Sequence, residues 1–229
     1  MRKLTIAIDG HASTGKSSIA RGLALKYGYI YINSGSMYRA VTLFALENSL
    51  LELLDQNIDL FIEKLKNISI NFKFNKNNLI SEIFINDRNI EKEIGSLKVS
   101  NLVSRVAAIP KIRREMVKLQ RNIDRNKGVV MDGRDIGSVV FPDADIKLFL
   151  TASDAVRANR RHKEMIKNGI TVSLDDILNN IQNRDELDSS RSDSPLIIDK
   201  DAKVIDNSNM SIEEQIDEIS RLIEEKATN

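Results

Sequence analysis

Apolar residues change their spacing repeatedly along this chain, and each change marks an element. Leu4-Thr5-Ile6-Ala7-Ile8-Asp9 is a short apolar run with the character of a buried strand. From Ser17 to Tyr27 the apolar positions Ile19, Ala20, Leu23, Ala24 and Tyr27 return at helical spacing, and Gly28 suits the stop. Tyr29-Ile30-Tyr31-Ile32 predicts a second parallel strand. Asn33-Ser34-Gly35-Ser36 offers turn and cap chemistry ahead of a helix carrying Met37, Tyr38, Val41, Phe44 and Ala45, and Asp59 to Leu65 predicts another.

At Ile68-Ser69-Ile70-Asn71-Phe72-Lys73-Phe74 the period drops to two, the mark of a strand with one buried face. Asn75-Lys76-Asn77-Asn78 is a turn signal, Ile80 to Ile85 a returning strand, and Asn86-Asp87-Arg88-Asn89 a second turn before a brief third strand near Ile90. This antiparallel island predicts a small separate lobe. Helical spacing resumes at Val99, Leu102, Val103 and Val106 and stops near Pro110. Ile112, Met116, Leu119 and Ile123 mark the next helix, with Gly128 at its end. Val129-Val130-Met131-Asp132 reads as a buried strand ending in an acid, Ile146 to Leu150 as another, and Val204-Ile205 as a further one. Ser173 with Asp176, and Ser211 with Glu214, are helix-capping patterns. The last helix carries Ile212, Ile216, Ile219 and Ile223, a stripe read as core. The sum is an α/β chain: a five-stranded parallel sheet with helices on both faces, a small antiparallel insert, and a charged helical segment.

Composition narrows the chemistry. The 229 residues suit one α/β domain with room for inserted lobes. A net charge of +1 offers no global field for nucleic acid or a membrane surface, so any basic site is local. The absence of cysteine excludes disulfides, thiolate metal sites and a Cys nucleophile, and His11 and His162 are too far apart to suggest a His-based metal site. With no membrane-length apolar run and no signal-like start, cytoplasmic residence is the expectation.

Gly10-His11-Ala12-Ser13-Thr14-Gly15-Lys16-Ser17-Ser18 lies between the first strand and the first helix. Strand, glycine-bounded loop, Lys, hydroxyl and helix make up a cradle for the phosphates of a nucleoside triphosphate. All nine residues are ATP-binding candidates, with Lys16 on the β- and γ-phosphates and Ser17 on Mg²⁺. Asp132, at a strand end, is a second candidate for the metal, or simply the start of a turn at Gly133. Arg134 and Asp135 follow at the same sheet edge. Arg157, Arg160 and Arg161 share one helical face, either solvated or part of a lid closing on phosphates. Arg184, Asp188 and Arg191 form a stripe if their helix continues, suited to a polyhydroxyl-phosphate ligand or to self-paired surface charge worth about 0.3–0.5 kcal/mol per pair.

Taken together these motifs resemble the bacterial cytidylate kinases of the nucleoside monophosphate kinase family. The resemblance is carried by the phosphate loop, Ser34 to Arg39, Val99-Ser100 with Ser104 to Ala107, Asp132 to Gly137 with Val139 to Ala144, Arg157 to Arg161, Arg184-Asp185 with Asp188 and Arg191, and Val204 to Asp206. His11 departs from the proline usual there. The resemblance implies transfer of the ATP γ-phosphoryl group to CMP or dCMP in a P-loop fold, with Mg²⁺ as cofactor held by Ser17 and Asp132. It places cytosine near Ser104, Arg113 and Asp135, the pentose near Asp188 and Arg191, and the acceptor phosphate near Arg39, Arg134 and Arg184, with Ser34 nearby. Lys16, Arg134, Arg157, Arg161 and Arg184 are then expected to stabilise the transferring group. It further implies one kinase domain over residues 1–229, comprising a core of 1–66, 96–150 and 192–229, a monophosphate-binding insert at 67–95 and a lid region at 151–191. No nucleic-acid or membrane partner is expected, and a monomer is the default. The alternatives are a kinase for another monophosphate, UMP or AMP, and a non-catalytic P-loop regulator that binds nucleotide.

Overall fold

The computed structural model describes residues 2–75, 80–123, 125, 128–167 and 169–228. Five strands form one parallel sheet: β1 (Thr5–Gly10), β2 (Ile30–Asn33), β6 (Val129–Asp132), β7 (Ile146–Thr151) and β8 (Lys203–Asp206), in the order β2-β6-β1-β7-β8. β1 is central, with Ile6 opposite Val130 on one side and Ile146 on the other. Alternation along the strands feeds two cores. Leu4, Ile6, Ile8, Val130 and Leu148 pack against α1 (Lys16–Tyr27) and α9 (Ile212–Thr228). Ala7, Val129 and Met131 face the opposite way, onto Val117 of α6 (Pro110–Arg121) and a short π-helix, Ile136–Val140. The expected sheet with helices on both faces is therefore present.

α2 (Ser34–Glu47) starts where Asn33 caps it, the Asn33 side chain accepting from the Ser36 N–H at 3.1 Å. α3 (Leu53–Gln56) and α4 (Ile58–Lys66) lead into the insert, a three-stranded antiparallel sheet of β3 (Ile70–Asn75), β4 (Ile80–Ile85) and β5 (Arg88–Asn89). The turn expected at 75–78 lies outside the described residues from position 76 onward. Among the described residues the insert shares its core with neighbouring helices. Ile70, Ile83, Ile85 and Ile90 are buried in the same cluster as Val41 and Phe44 of α2 and Val99 and Val103 of α5 (Leu97–Ala107). A sheet this small has too little apolar surface to stand alone and buries its one face on the neighbouring helices. The alternating face also weakens outward: Ile70 is buried, while Phe74 is exposed.

α7 (Asp154–Lys167) and α8 (Leu174–Ser190) pair through a small cluster of Ala158, Ile177 and Ile181. Both predicted caps are formed: Ser173 accepts from the Asp176 N–H, and Ser211 and Glu214 bond reciprocally. The α9 stripe is core only in part. Ile219 and Ile223 are fully buried, but Ile212, in the first turn, is exposed at the rim of the cleft described next. Among the described residues no helix is long and apolar enough to cross a membrane.

Candidate active site

A cleft of about 750 Å³ lies at the carboxyl edge of the sheet, where parallel α/β sheets bind ligands. One wall is the glycine loop. Gly10 has φ +146°, and a Cβ there would meet the Leu150 carbonyl oxygen at 2.1 Å, so the strand passes into the loop only because this residue is glycine. No side chain caps α1 at Gly15, which leaves the helix N-terminus to an anion. Lys16 is buried and lies back over the loop, donating to the His11 carbonyl and, at 3.2 Å, to Thr14 Oγ1. Burial, reinforced by Arg134, pulls its ammonium well below the usual lysine range. Ala12 to Ser18 line the cleft; Gly10 and His11 do not.

Ser17 and Asp132 come together at its floor. Ser17 Oγ donates to Asp132 Oδ2 at 2.8 Å, Tyr31 Oη donates to Asp132 Oδ1 at 2.9 Å, and Asn33 Nδ2 donates to Ser17 Oγ at 3.2 Å. Asp132 is therefore more than a turn residue, and Ser17, not Ser18, faces it. One carboxylate beside one hydroxyl suits Mg²⁺, which keeps several waters and takes its remaining oxygens from phosphates. Among the described residues no group of three or more acidic, His or Cys side chains forms an all-protein metal cage.

The opposite wall carries the acceptor-side candidates. Ser34, Arg39, Ser104, Arg113, Arg134, Asp135, Arg184, Asp188 and Arg191 all line the cleft, so residues 157 positions apart in sequence share one space. Arg113 and Asp135 form an ion pair with exposures of 1% and 5%, the Arg113 guanidinium lying over the Tyr38 ring at 5.4 Å from its centroid. Arg134 Nε donates to Asp188 Oδ2 at 2.7 Å, and Arg191 Nη1 donates to Asp188 Oδ1 at 3.3 Å. Arg191 stands one residue beyond α8, with extended backbone, yet its guanidinium still reaches the stripe. Arg39 is anchored by donating to Ser100 Oγ at 2.9 Å. Arg184 is half-buried, its Nε enclosed without a partner, and desolvation together with Arg134 pulls its guanidinium down to about 10. Burial, with Arg161 and Arg134 nearby, also lowers Arg39, so Arg39 and Arg184 share a cluster of positive charge in this wall.

The arginines of α7 divide. Arg161 lines the cleft and pairs with Glu164 at 2.9 Å. Arg157 does not line it: buried behind the loop, it is engaged by Asp154, Asp185 and the Ala12 carbonyl. The expectation that Arg157 meets the transferring phosphates is replaced by a contact with the loop itself. Several contributors escaped the sequence reading. Tyr31 and Asn33 orient the Ser17–Asp132 pair, and Asn207 donates to the Thr14 carbonyl at 2.8 Å. All three lie in or just after strands ending at the one sheet edge, which was the available signal. Tyr38, inside the quoted Ser34–Arg39 block, lines the cleft with a buried, unpartnered hydroxyl, its acidity suppressed by burial.

Comparison with known proteins points the same way. A family model described as cytidylate kinase matches residues 6–225. The cytidylate kinase of Flavobacterium psychrophilum is 51% identical over 94% of this chain and 95% of its own. That of Flavobacterium johnsoniae is 46% identical over 97% of each, and that of Phocaeicola vulgatus 46% identical over 94% of each. A crystal structure of an uncharacterized protein from Eubacterium ventriosum aligns over 98% of this chain and 99% of its own, with a TM-score of 0.50 and 13% identity, a likeness of fold alone. A match running from the first strand to the last helix, over a cleft with a phosphate loop at one wall and converging arginines at the other, means that this chain belongs to the cytidylate kinase family of nucleoside monophosphate kinases.

Proposed function

We propose that this cleft transfers the γ-phosphoryl group of ATP to CMP or dCMP, giving CDP or dCDP and ADP, with the residue roles that follow. The observation that carries the acceptor side is Arg184: a half-buried guanidinium whose enclosed Nε has no partner, among Arg39, Arg134 and Arg161, in the wall facing the phosphate loop. Such a cluster, only partly neutralised by Asp188 and Glu164, favours a bound anion. The acceptor phosphate fits between Arg39, Arg134 and Arg184, and the donor phosphates fit the loop and Lys16. Ser17 and Asp132 would hold Mg²⁺, which supplies charge neutralisation across the donor phosphates. No covalent nucleophile is required. Lys16, Arg134, Arg161 and Arg184 stabilise charge on the transferring group and orient the acceptor oxygen toward it.

Base choice falls to the Arg113–Asp135 pair with Ser104. A carboxylate accepts the exocyclic amine of cytosine, whereas uracil presents a carbonyl there. Leaving a buried polar group unpaired costs about 1–3 kcal/mol, which sets the preference. Asp188 and Arg191 fit the pentose hydroxyls. In this reading residues 67–95 flank the monophosphate and residues 151–191 form a lid that excludes water, and hence hydrolysis, when it closes. We further read the enzyme as a cytoplasmic monomer. A coupled ADP-release assay over CMP, dCMP, UMP and AMP, with and without Mg²⁺, tests the proposal. Turnover led by CMP or dCMP and lost on chelation is expected. A leading rate on UMP or AMP overturns the acceptor assignment, and ATP binding without turnover on any acceptor overturns catalysis.

A further inference from the structure

The contacts that remove Arg157 from the cleft give it another task. Its Nη1 donates to the Ala12 carbonyl at 3.2 Å and to Asp185, while Asp185 Oδ1 accepts the Ala12 N–H at 3.1 Å. Both polar groups of Ala12 are thus held by α7 and α8, with His11 Nδ1 at 3.5 Å from the same Asp185 oxygen. A second arginine repeats the device two residues on: Arg160 Nη1 and Asn207 Nδ2 donate to the Thr14 carbonyl at 3.3 and 2.8 Å. In a planar trans peptide the C=O and the next N–H point in opposite directions. Turning the Ala12 carbonyl outward onto Arg157 therefore turns the Ser13 N–H inward, and holding the Thr14 carbonyl likewise fixes the direction of the Gly15 N–H. Inward amides are what a phosphate cradle requires. Burial acts to raise the Asp185 carboxyl, but His11, the Ala12 N–H and Arg157 outweigh it and hold it down at about 2.

We infer that Asp185 and Arg157 are positioning residues that grip both sides of Ala12, aim the Ser13 amide of the donor loop into the cleft, and tie that loop to the helix carrying Arg184. Residues 184 and 185 are consecutive on α8, one facing the acceptor side and the other the loop. The inference rests on the reading of the loop as the donor-phosphate site. Its test is the steady-state kinetics of Asp185→Asn and Arg157→Gln, with melting temperatures alongside. KM for ATP is expected to rise about tenfold in each, with KM for CMP changing less than about twofold. The double variant should be no worse than the poorer single, because both changes break one grip. Arg157→Lys, which keeps a donor and the charge, should recover part of the loss. An unchanged KM for ATP, or equal rises in both KM values, overturns the inference.

A measurement on the unaltered protein covers the case in which the variants do not fold. Amide exchange of the substrate-free chain should show the Ala12 N–H protected, and exchange at the rate of a free loop amide overturns the grip. If the unaltered protein turns over no acceptor, the kinase reading fails on its own, and the exchange result still decides the contact.

Discussion

Asp135 sits where two demands meet. In the proposed reading it presents an acceptor to the base, and it neutralises Arg113, which is 1% exposed. Alanine at 135 would strand that guanidinium and cost about 3–5 kcal/mol of stability, mixing folding with recognition. Asp135→Asn is the cleaner change. It keeps an oxygen for Arg113 and offers an amide N–H to the O4 of uracil, so the ratio of kcat/KM for CMP over UMP should fall by roughly 5- to 150-fold, the range set by about 1–3 kcal/mol. An unchanged ratio removes Asp135 from base recognition. Lys16 makes a sharper prediction. Lys16→Ala should lower kcat by at least about a hundredfold while CMP still binds, since the proposed role of Lys16 is to stabilise charge on the transferring phosphoryl once the donor is bound. Calorimetric titration with CMP beside a turnover assay checks both halves, and near-normal turnover would remove Lys16 from the chemistry.

At the scale of elements, the site depends on how strands end. β1 must pass into the loop at an angle open only to glycine, against the Leu150 carbonyl of β7. Gly10→Ala should therefore destabilise the fold by about 2 kcal/mol or more, through strain at positive φ and displacement of a central strand pair. A chemical denaturation midpoint within error of the parent would show that the strand relaxes at no cost. β6 ends in Asp132, β2 in Asn33 and β8 just before Asn207, so three strand ends converge on the loop and its metal-side oxygens. Helix periodicity in the sequence told where α7 and α8 run. It did not tell that Arg157 turns toward the loop while Arg161 faces the cleft, because residues four positions apart on one helix face still diverge once neighbouring helices take up the space between them.

For the molecule as a whole, one buried carboxylate gives a pH signature. Asp9, inside the sheet, accepts the Ile136 and Gly137 N–H groups at 2.8 and 2.7 Å and so anchors the π-turn that follows Asp135. Burial raises its pKa from 3.8 to about 6, against the pull of those two bonds. The folded state then holds a proton that the unfolded chain has already released between about pH 4 and 6. Its contribution to stability is complete below the unfolded value and is lost as pH rises through about 6. The stability of the parent relative to Asp9→Asn should accordingly decline across that window and level off above it. A difference that stays flat from pH 4 to 7, read from denaturant unfolding at each pH, would show that Asp9 does not titrate there.

The chain's own pattern determined the parallel sheet, the helix caps, the glycine loop and the family, because period, turn residues and motif spacing are local and survive without a partner. Motif spacing and strand ends also named the loop residues, Asp132, Arg134 and Asp135, while Ser34, Ser104 and Arg113 came only from the resemblance to the cytidylate kinases. What only tertiary structure decided is which charges meet. Arg113 with Asp135, Arg134 with Asp188, Ser17 with Asp132, and Arg157 with the loop are pairings between distant segments. The packing of the insert on α2 and α5 is of the same kind. These outcomes depend on which apolar faces bury together, and the polar groups carried on those elements follow wherever that packing places them.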